Sequence, residues 1–338
     1  MSLIIKKPGI LSTIQDSGRR GYQKYGVIVN GAMDPFAMRA ANLLVGNESN
    51  EAVIEATIVG PTVYFDSFSL IAICGGDFQP TIDGVKVPMW QPHIVKAGST
   101  LKIGSACLGI RCYLAICGGF KLPLEMESRS TYLRAGFGGF SGRALRAGDF
   151  LETRKKLTIS KAILSTIRSN ENRSFYSIPC FISHHVKPLY SKNPLIRVIK
   201  GAHFELFTTQ SKILFFKSSY KVLASSDRMG YRLKGAELGL KKPREIISEA
   251  VSFGTIQVPP DGQPIVLMAD HQTIGGYPRI AEVISVDLPL MAQLNLGSSV
   301  HFQEISLHEA QKLYIKREQD LRLMEKGMKD ILKKFGGS

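Results

Sequence analysis

Short apolar runs separated by glycines and charged residues recur along the whole chain. Val63-Tyr64-Phe65, Leu70-Ile71-Ala72-Ile73, Arg111-Cys112-Tyr113-Leu114-Ala115-Ile116, Ile196-Arg197-Val198-Ile199 and Ile265-Val266-Leu267-Met268 are rich in β-branched and aromatic residues and bounded by turn residues. Each predicts a strand. The pattern turns helical in two places. Asp34 can cap a helix with Pro35 at its first position, Phe36 to Val45 as its body and Gly46 as its stop. From Leu307 to Phe335 the chain is amphipathic and rich in Lys and Glu, which predicts a C-terminal helix. Many short strands with few helices point to barrels rather than to a parallel α/β sheet.

The chain also resembles itself. Arg19-Arg20-Gly21-Tyr22 recurs as Arg228-Met229-Gly230-Tyr231, Glu55-Ala56 before Gly60 as Glu249-Ala250 before Gly254, and Ala97-Gly98-Ser99-Thr100-Leu101 as Leu296-Gly297-Ser298-Ser299-Val300. The order is kept, at offsets of roughly 200 residues each. Three matches in register predict two domains of one fold: an N-terminal domain over 1–151 and a second over 194–306. Between them lies a basic, polar linker over 152–193, in which Ala162 to Ile167 is apolar enough to dock. The helical tail covers 307–338.

Length and composition narrow the class. A chain of 338 residues with 44% apolar content has ample material for two cores, and its 32 glycines suit tight turns. The formal net charge is +15, which gives either a generally basic surface or one that binds an anionic ligand or an acidic partner. No basic stretch is interleaved with aromatics, so nucleic acid is not expected. Five cysteines without a C-x-x-C pair read as reduced core residues. The N-terminus lacks a signal-peptide pattern, and the apolar runs fall well short of the roughly 18 residues a membrane span needs. A cytoplasmic protein with no membrane association is the expectation.

Four segments carry more polar and glycine residues than strands require. The first runs from Gln15-Asp16-Ser17-Gly18-Arg19 to Asn30-Gly31-Ala32-Met33-Asp34, and offers Asp16, Arg19 and Asp34 as substrate-binding groups or a plain turn with an Asp–Arg pair. The second, Ser128-Arg129-Ser130-Thr131 through Gly138, Gly139 and Arg143, can present N–H groups and guanidinium to an anion, or simply turn a barrel corner. It is neither a Walker A loop nor a dinucleotide fingerprint. The third holds Arg228 and Arg232 with Glu249 following, two planar donors suited to a carboxylate. The fourth leads from Gln257 to Asp270-His271-Gln272 and the Gly275-Gly276 turn, placing polar groups at a strand mouth where a base or a carbonyl donor would serve. Asp270, His271, Gln272 and Glu249 are the candidate catalytic residues. His271 has no second histidine at ligand spacing, so no metal is expected. His184-His185 reads as solvated surface.

Together these segments resemble the carboxyltransferase domain A/B family, also called allophanate hydrolase subunit 2. The resemblance spans about residues 3–310 and rests on Gln15–Arg19, Gly31–Asp34, Asn42–Asn47, Tyr113–Gly119, Ser128–Thr131, Asp227–Leu233 and Asp270–Pro278. It implies two tandem cyclophilin-like β-barrels. It also implies the C subunit of an ATP-dependent 5-oxoprolinase that turns 5-oxo-L-proline into L-glutamate, in a stable complex with a B-subunit homologue and acting with an A subunit. ATP belongs to the complex, on this chain or another subunit. The family's other branches imply a binding protein that antagonises a sporulation-kinase inhibitor, or a carboxyltransferase acting on a urea-like substrate. Gly327-Met328-Lys329-Asp330 lies in the helical tail, so no biotin is expected on this chain. One departure stands out: Glu127 occupies a place where the resemblance calls for glycine, which would strain a left-handed turn.

Overall fold

The computed structural model describes residues 2–154 and 173–334. The expected docking stretch Ala162 to Ile167 lies outside them. Contacts divide the chain into two compact units. One comprises 1–18, 34–187 and 318–338, and the other comprises 19–33 and 188–317.

The first unit is built from β1 (Ser2–Lys7), β2 (Leu11–Gln15), β3 (Val53–Thr57), β4 (Thr62–Phe65), β5 (Ser69–Asp77), β6 (Thr81–Ile82), β7 (Val85–Lys86), β8 (Pro92–Val95), β9 (Thr100–Lys102), β10 (Leu108–Ile116), β11 (Phe150–Glu152) and β12 (Phe175–Ser177). They form two six-stranded sheets, ordered β11-β1-β4-β9-β6-β7 and β12-β8-β5-β10-β3-β2. Alternation decides the faces. Ile14, Ile54, Leu114 and Ile73 are buried in one hydrophobic core with Leu3, Phe65 and Leu101 of the first sheet. On the opposite face of the second sheet Leu70, Ala72, Cys74 and Ala115 are buried too, and a polar set lies among them: Thr13 opposes Glu55, and Glu55 opposes Tyr113. Helix α1 (Pro35–Leu44) contacts β5, β10 and β3. The Asp34 carboxylate accepts from the Ala37 N–H at 2.9 Å, Pro35 opens the helix, and Gly46 follows at φ 76°.

The second unit is a closed barrel. Its strands are β13 (Leu195–Lys200), β14 (Tyr220–Val222), β15 (Gly230–Lys234), β17 (Thr255–Gln257), β18 (Ile265–Leu267), β20 (Arg279–Val283) and β21 (Ser299–Glu304), in the order β13-β20-β17-β18-β15-β14-β21, closed by a parallel β13–β21 pairing. Two further short strands, β16 (Glu249–Ala250) and β19 (Ile274–Gly275), pair with each other as a separate ribbon. Helix α2 (Thr209–Lys217) packs on β21, and α3 (Leu288–Ala292) adds Met291 and Ala292 to the barrel core. Phe215 of α2 stacks on Phe302 at 4.8 Å between ring centroids. The tail helix α4 (Leu307–Lys334) opens on a reciprocal cap. The Glu309 N–H donates to Ser306 Oγ, and the Ser306 N–H donates to the Glu309 carboxylate.

The molecule is therefore mainly β with few helices, as the strand pattern predicts. The internal repeat is realised unevenly. Gly98 at φ 86° and Gly297 at φ 84° occupy equivalent turns. Each donates its N–H to the end of the neighbouring strand, Gly98 to the Phe65 carbonyl and Gly297 to the Val222 carbonyl, both at 2.8 Å. The other two matches fall in unlike places. Arg19 to Tyr22 form a loop while Gly230 and Tyr231 begin a barrel strand, and Glu55 lies in a central strand while Glu249 lies in the ribbon. The cysteines form no disulfide, but only Cys74 and Cys112 are core residues. Cys107 is exposed, and Cys117 and Cys180 are half-buried. His184 and His185 are exposed, as expected.

Candidate functional site

Strand pairing places Arg228 and Asp270 side by side. The β15–β18 ladder, with Gly230 opposite Leu267, continues past both strands: the Met268 N–H donates to the Met229 carbonyl and the Asp270 N–H to the Arg228 carbonyl. The two side chains then meet as a fork. Arg228 Nε donates to Asp270 Oδ2 and Nη2 to Oδ1, both at 2.9 Å. Both side chains are more than nine-tenths buried. Arg228 Nη2 also donates to the Gly31 carbonyl at 2.5 Å and to Asn30 Oδ1 at 3.2 Å. Asn30 and Gly31 both sit at positive φ, so the guanidinium clamps a turn that only asparagine and glycine adopt readily.

His271 and Gln272 follow directly. His271 is buried, and its Nδ1 donates to the Gln272 carbonyl at 2.6 Å. That bond leaves the lone pair on Nε2. Burial pulls the imidazole below its usual value, against the opposing effects of the Gln272 carbonyl and Asp270, so the ring is a neutral base at neutral pH. Gln272 shares the face of Gly275 with Gln257: the point where a side chain on Gly275 would begin is 2.7 Å from Gln257 Nε2 and 3.2 Å from Gln272 Nε2. Gln257 is buried, and its Nε2 has no hydrogen-bond partner among the described residues. Glycine at 275 is what lets the two amides lie there.

Glu249, opposite Gly275 in the ribbon, is bound by Arg279 and lies 4.0 Å from His203 Nε2. His203 Nδ1 accepts from the Arg279 N–H, which fixes its neutral proton on Nε2. Arg232 is exposed, further along β15 from Arg228. Arg19 is fully buried, with its backbone N–H donating to the Val29 carbonyl.

The remaining sequence candidates gather in the first unit. The Asp16 carboxylate accepts from Ser128 Oγ at 2.7 Å, Ser130 Oγ at 2.5 Å, the Arg129 N–H at 2.5 Å and the Gly18 N–H at 2.8 Å. It stitches the first and second segments together. Arg129 Nε donates to the Leu122 carbonyl, and its guanidinium lies 3.6 Å from Glu51. Arg143 forks onto Asp149 at 2.8 Å and lies over the Phe140 ring. Thr131 Oγ1 donates to the Ile14 carbonyl. The glycine loop uses its own donors: the Gly136 N–H goes to Tyr132, Gly138 to the Glu125 carboxylate and Gly142 to Gly138. Gly139 leaves Thr131 no room for a side chain between them. Loop N–H groups turned onto a carboxylate and onto backbone carbonyls do not fit a triphosphate.

Sequence reading missed one buried pair. Tyr113 Oη donates to Glu55 Oε2 at 2.8 Å and accepts from the Asp34 N–H at 2.7 Å, with both residues almost inaccessible. Burial and the Glu55 charge hold the Tyr113 phenol well above its usual value. The signal was a glutamate alone in the apolar run Ala52-Val53-Ile54-Glu55-Ala56. Among the described residues no cluster of His, Cys, Asp or Glu could hold a metal, and no helix is long and apolar enough to cross a membrane.

The model of the carboxyltransferase domain, subdomain A and B, matches residues 25–304, and the chain belongs to that family. Among its relatives is the 5-oxoprolinase C subunit of Haemophilus influenzae, 39% identical over 91% of this chain and 92% of that protein. The 5-oxoprolinase C subunit of Escherichia coli is 38% identical over 92% and 93%. Urea amidolyase of Saccharomyces cerevisiae is 33% identical over 94% of this chain but 17% of that protein. Among solved structures, Kluyveromyces lactis urea carboxylase superposes with a TM-score of 0.86 at 29% identity, over 97% of this chain and 29% of the other.

Proposed function

We propose that this chain is the C subunit of a 5-oxoprolinase, a hydrolase that opens the cyclic amide of 5-oxo-L-proline to L-glutamate with ATP, together with A and B subunits. The observation that carries it is end-to-end similarity to 5-oxoprolinase C subunits, over nine-tenths of both chains. In this reading the lactam is handled at the strand mouth formed by Asp270, His271 and Gln272. Gln257 and Gln272 supply amide groups complementary to an N–C=O unit. His271, neutral with its Nε2 lone pair free of the Gln272 contact, is the proton acceptor. Asp270 acts through Arg228, as a positioning residue. ATP is bound by another subunit, in keeping with the occupied donors of the glycine loop.

The second reading, a carboxyltransferase acting on a urea-like substrate, is favoured by the close superposition on urea carboxylase. Co-expression with A and B subunits separates the two. ATP-dependent glutamate release from 5-oxoproline is expected. A fully assembled complex that releases none, but consumes carboxybiotin in the presence of urea, establishes the second reading instead.

A further inference from the structure

The first unit carries a cavity of about 530 Å³, within the roughly 300–1,000 Å³ of small-molecule sites. None of the candidate site residues lines it. Strand register builds its polar side. Lys7 of β1 lies opposite Thr62 of β4, and Thr62 lies opposite Lys102 of β9. Residues directly opposite share a face, so the two lysines flank the threonine, with their Cα atoms roughly 10 Å apart. A β-bulge sets this arrangement. The β1–β4 register shifts between Ile5 and Lys7, which brings Lys7 rather than Lys6 opposite Thr62. Lys6 lies over the Tyr64 ring, 5.0 Å from its centroid. Three loops complete the wall, Pro8-Gly9, Val59-Gly60 and Ile103-Gly104-Ser105. They interlock. A side chain on Gly9 would begin 2.1 Å from the Val59 carbonyl oxygen, and one on Gly60 2.2 Å from Ile103. The N–H groups of Gly9, Gly104 and Ser105 donate to no protein group among the described residues.

The charge at the cavity is positive. Lys7 and Lys102 are exposed and make no ion pair among the described residues, and no carboxylate lines the wall. Of the acidic residues on the surrounding strands and turns, Asp149 is paired with Arg143 and Glu152 with Lys121. Asp66, Asp77 and Asp83 lie outside the lining and accept from the N–H groups of Ser2, Gln79 and Thr100. Lys6 and Lys86 add further positive charge on the same sheet. Lysine presents a point charge with three donors, which suits a tetrahedral oxyanion. A planar carboxylate is matched better by the fork of arginine, and no arginine lines the wall. The hydroxyls of Thr62 and Ser105 and the unused loop N–H groups complete the donor set of a phosphate site. We infer that this cavity binds a phosphate group between Lys7 and Lys102, either as free phosphate or as the monoester of a small organic molecule. Pro8, Val59 and Ile103 offer an apolar wall to the organic part of such an ester. The site belongs to the first unit and does not depend on the oxoprolinase reading.

The test is titration calorimetry of the full chain with inorganic phosphate, glycerol 3-phosphate and succinate. Saturable binding of phosphate or its ester in the millimolar range or tighter is expected, with succinate weaker by about 10-fold or more. Tighter binding of the ester identifies an ester as the ligand, and equal or weaker binding identifies free phosphate. Lys7→Met and Lys102→Met each remove a charged donor and are expected to weaken binding by about 10-fold or more. Lys86 continues the same row of the sheet through Thr81 but lies outside the lining. Lys86→Met is therefore expected to change binding by less than about two-fold, although it removes the same charge from the chain. All three side chains are exposed, so the melting temperature is expected to stay as in the parent chain. The inference is overturned by an absence of saturable binding of either phosphate, by binding that Lys7→Met and Lys102→Met both retain, or by an equal loss in Lys86→Met. Succinate that binds as tightly as phosphate overturns it as well.

Discussion

The Arg228 guanidinium and the Asp270 carboxylate form a two-pronged ion pair at the end of one barrel ladder, both side chains out of water. Removing one partner strands the other charge in a buried site, which costs about 3–5 kcal/mol. Asp270→Ala is therefore expected to lower the unfolding free energy by that amount in urea titrations. Arg228→Met with Asp270→Leu is expected to recover most of it, because no charge is then left unpaired. A single variant as stable as the parent would show the pair to be solvated.

Tyr113→Phe removes the donor to Glu55 and the acceptor of the Asp34 N–H. Both groups stay buried, so the expected loss is about 1–3 kcal/mol. Denaturant titration checks it, and an unchanged midpoint would exclude the network as a contributor to stability.

Met126 and Glu127 form the centre of a turn closed by Glu125 and Ser128, at φ 52° and 62°. Two left-handed residues in succession define the tight hairpin turn that favours Asn-Gly. The double change Met126→Asn, Glu127→Gly is expected to raise stability by about 1 kcal/mol. A melting temperature that falls would show that the native side chains contribute contacts outweighing the strain.

His93 is enclosed between Ser177 and the Pro88 carbonyl, and burial lowers its pKa from 6.5 to about 4 despite the bond to Pro88. Above pH 6.5 both folded and unfolded chains hold the ring neutral, so it contributes no pH dependence. Below that, the unfolded chain takes up the proton first, and stability falls as pH drops towards 4, by about 3 kcal/mol in all. Burial of His271 acts in the same direction. His93→Gln is expected to flatten the decline in urea midpoint between pH 6.5 and 4. An unaltered slope would assign the acid sensitivity to other groups.

The strands Val63–Phe65 and Ile196–Ile199 and the helix capped by Asp34 were legible because each is specified by neighbours a few residues away. Gly98 and Gly297 were legible as a repeat because the same turn needs the same glycine in both units. Tyr113 and Glu55 were not: they are distant in sequence, and only strand pairing makes them partners. Arg143 looked like an anion binder because a sequence does not show that Asp149 folds back onto it. Asp16 looked like a substrate ligand for the same reason, since Ser128 and Ser130 reach it from far along the chain.

By itself the sequence determined the β character, the glycine-framed polar segments, the position of the tail helix and the family. These follow from local periodicity and turn chemistry, which act over a few residues. Tertiary structure decided which polar groups are spent on holding the fold and which are left to act. Asp270 is held by Arg228, Glu249 by Arg279 and Asp16 by two serines, while Gln257 Nε2, beside Gly275, has no partner among the described residues. The physical reason is that hydrogen bonding and burial depend on distance in space, and sheet register, not chain order, sets that distance.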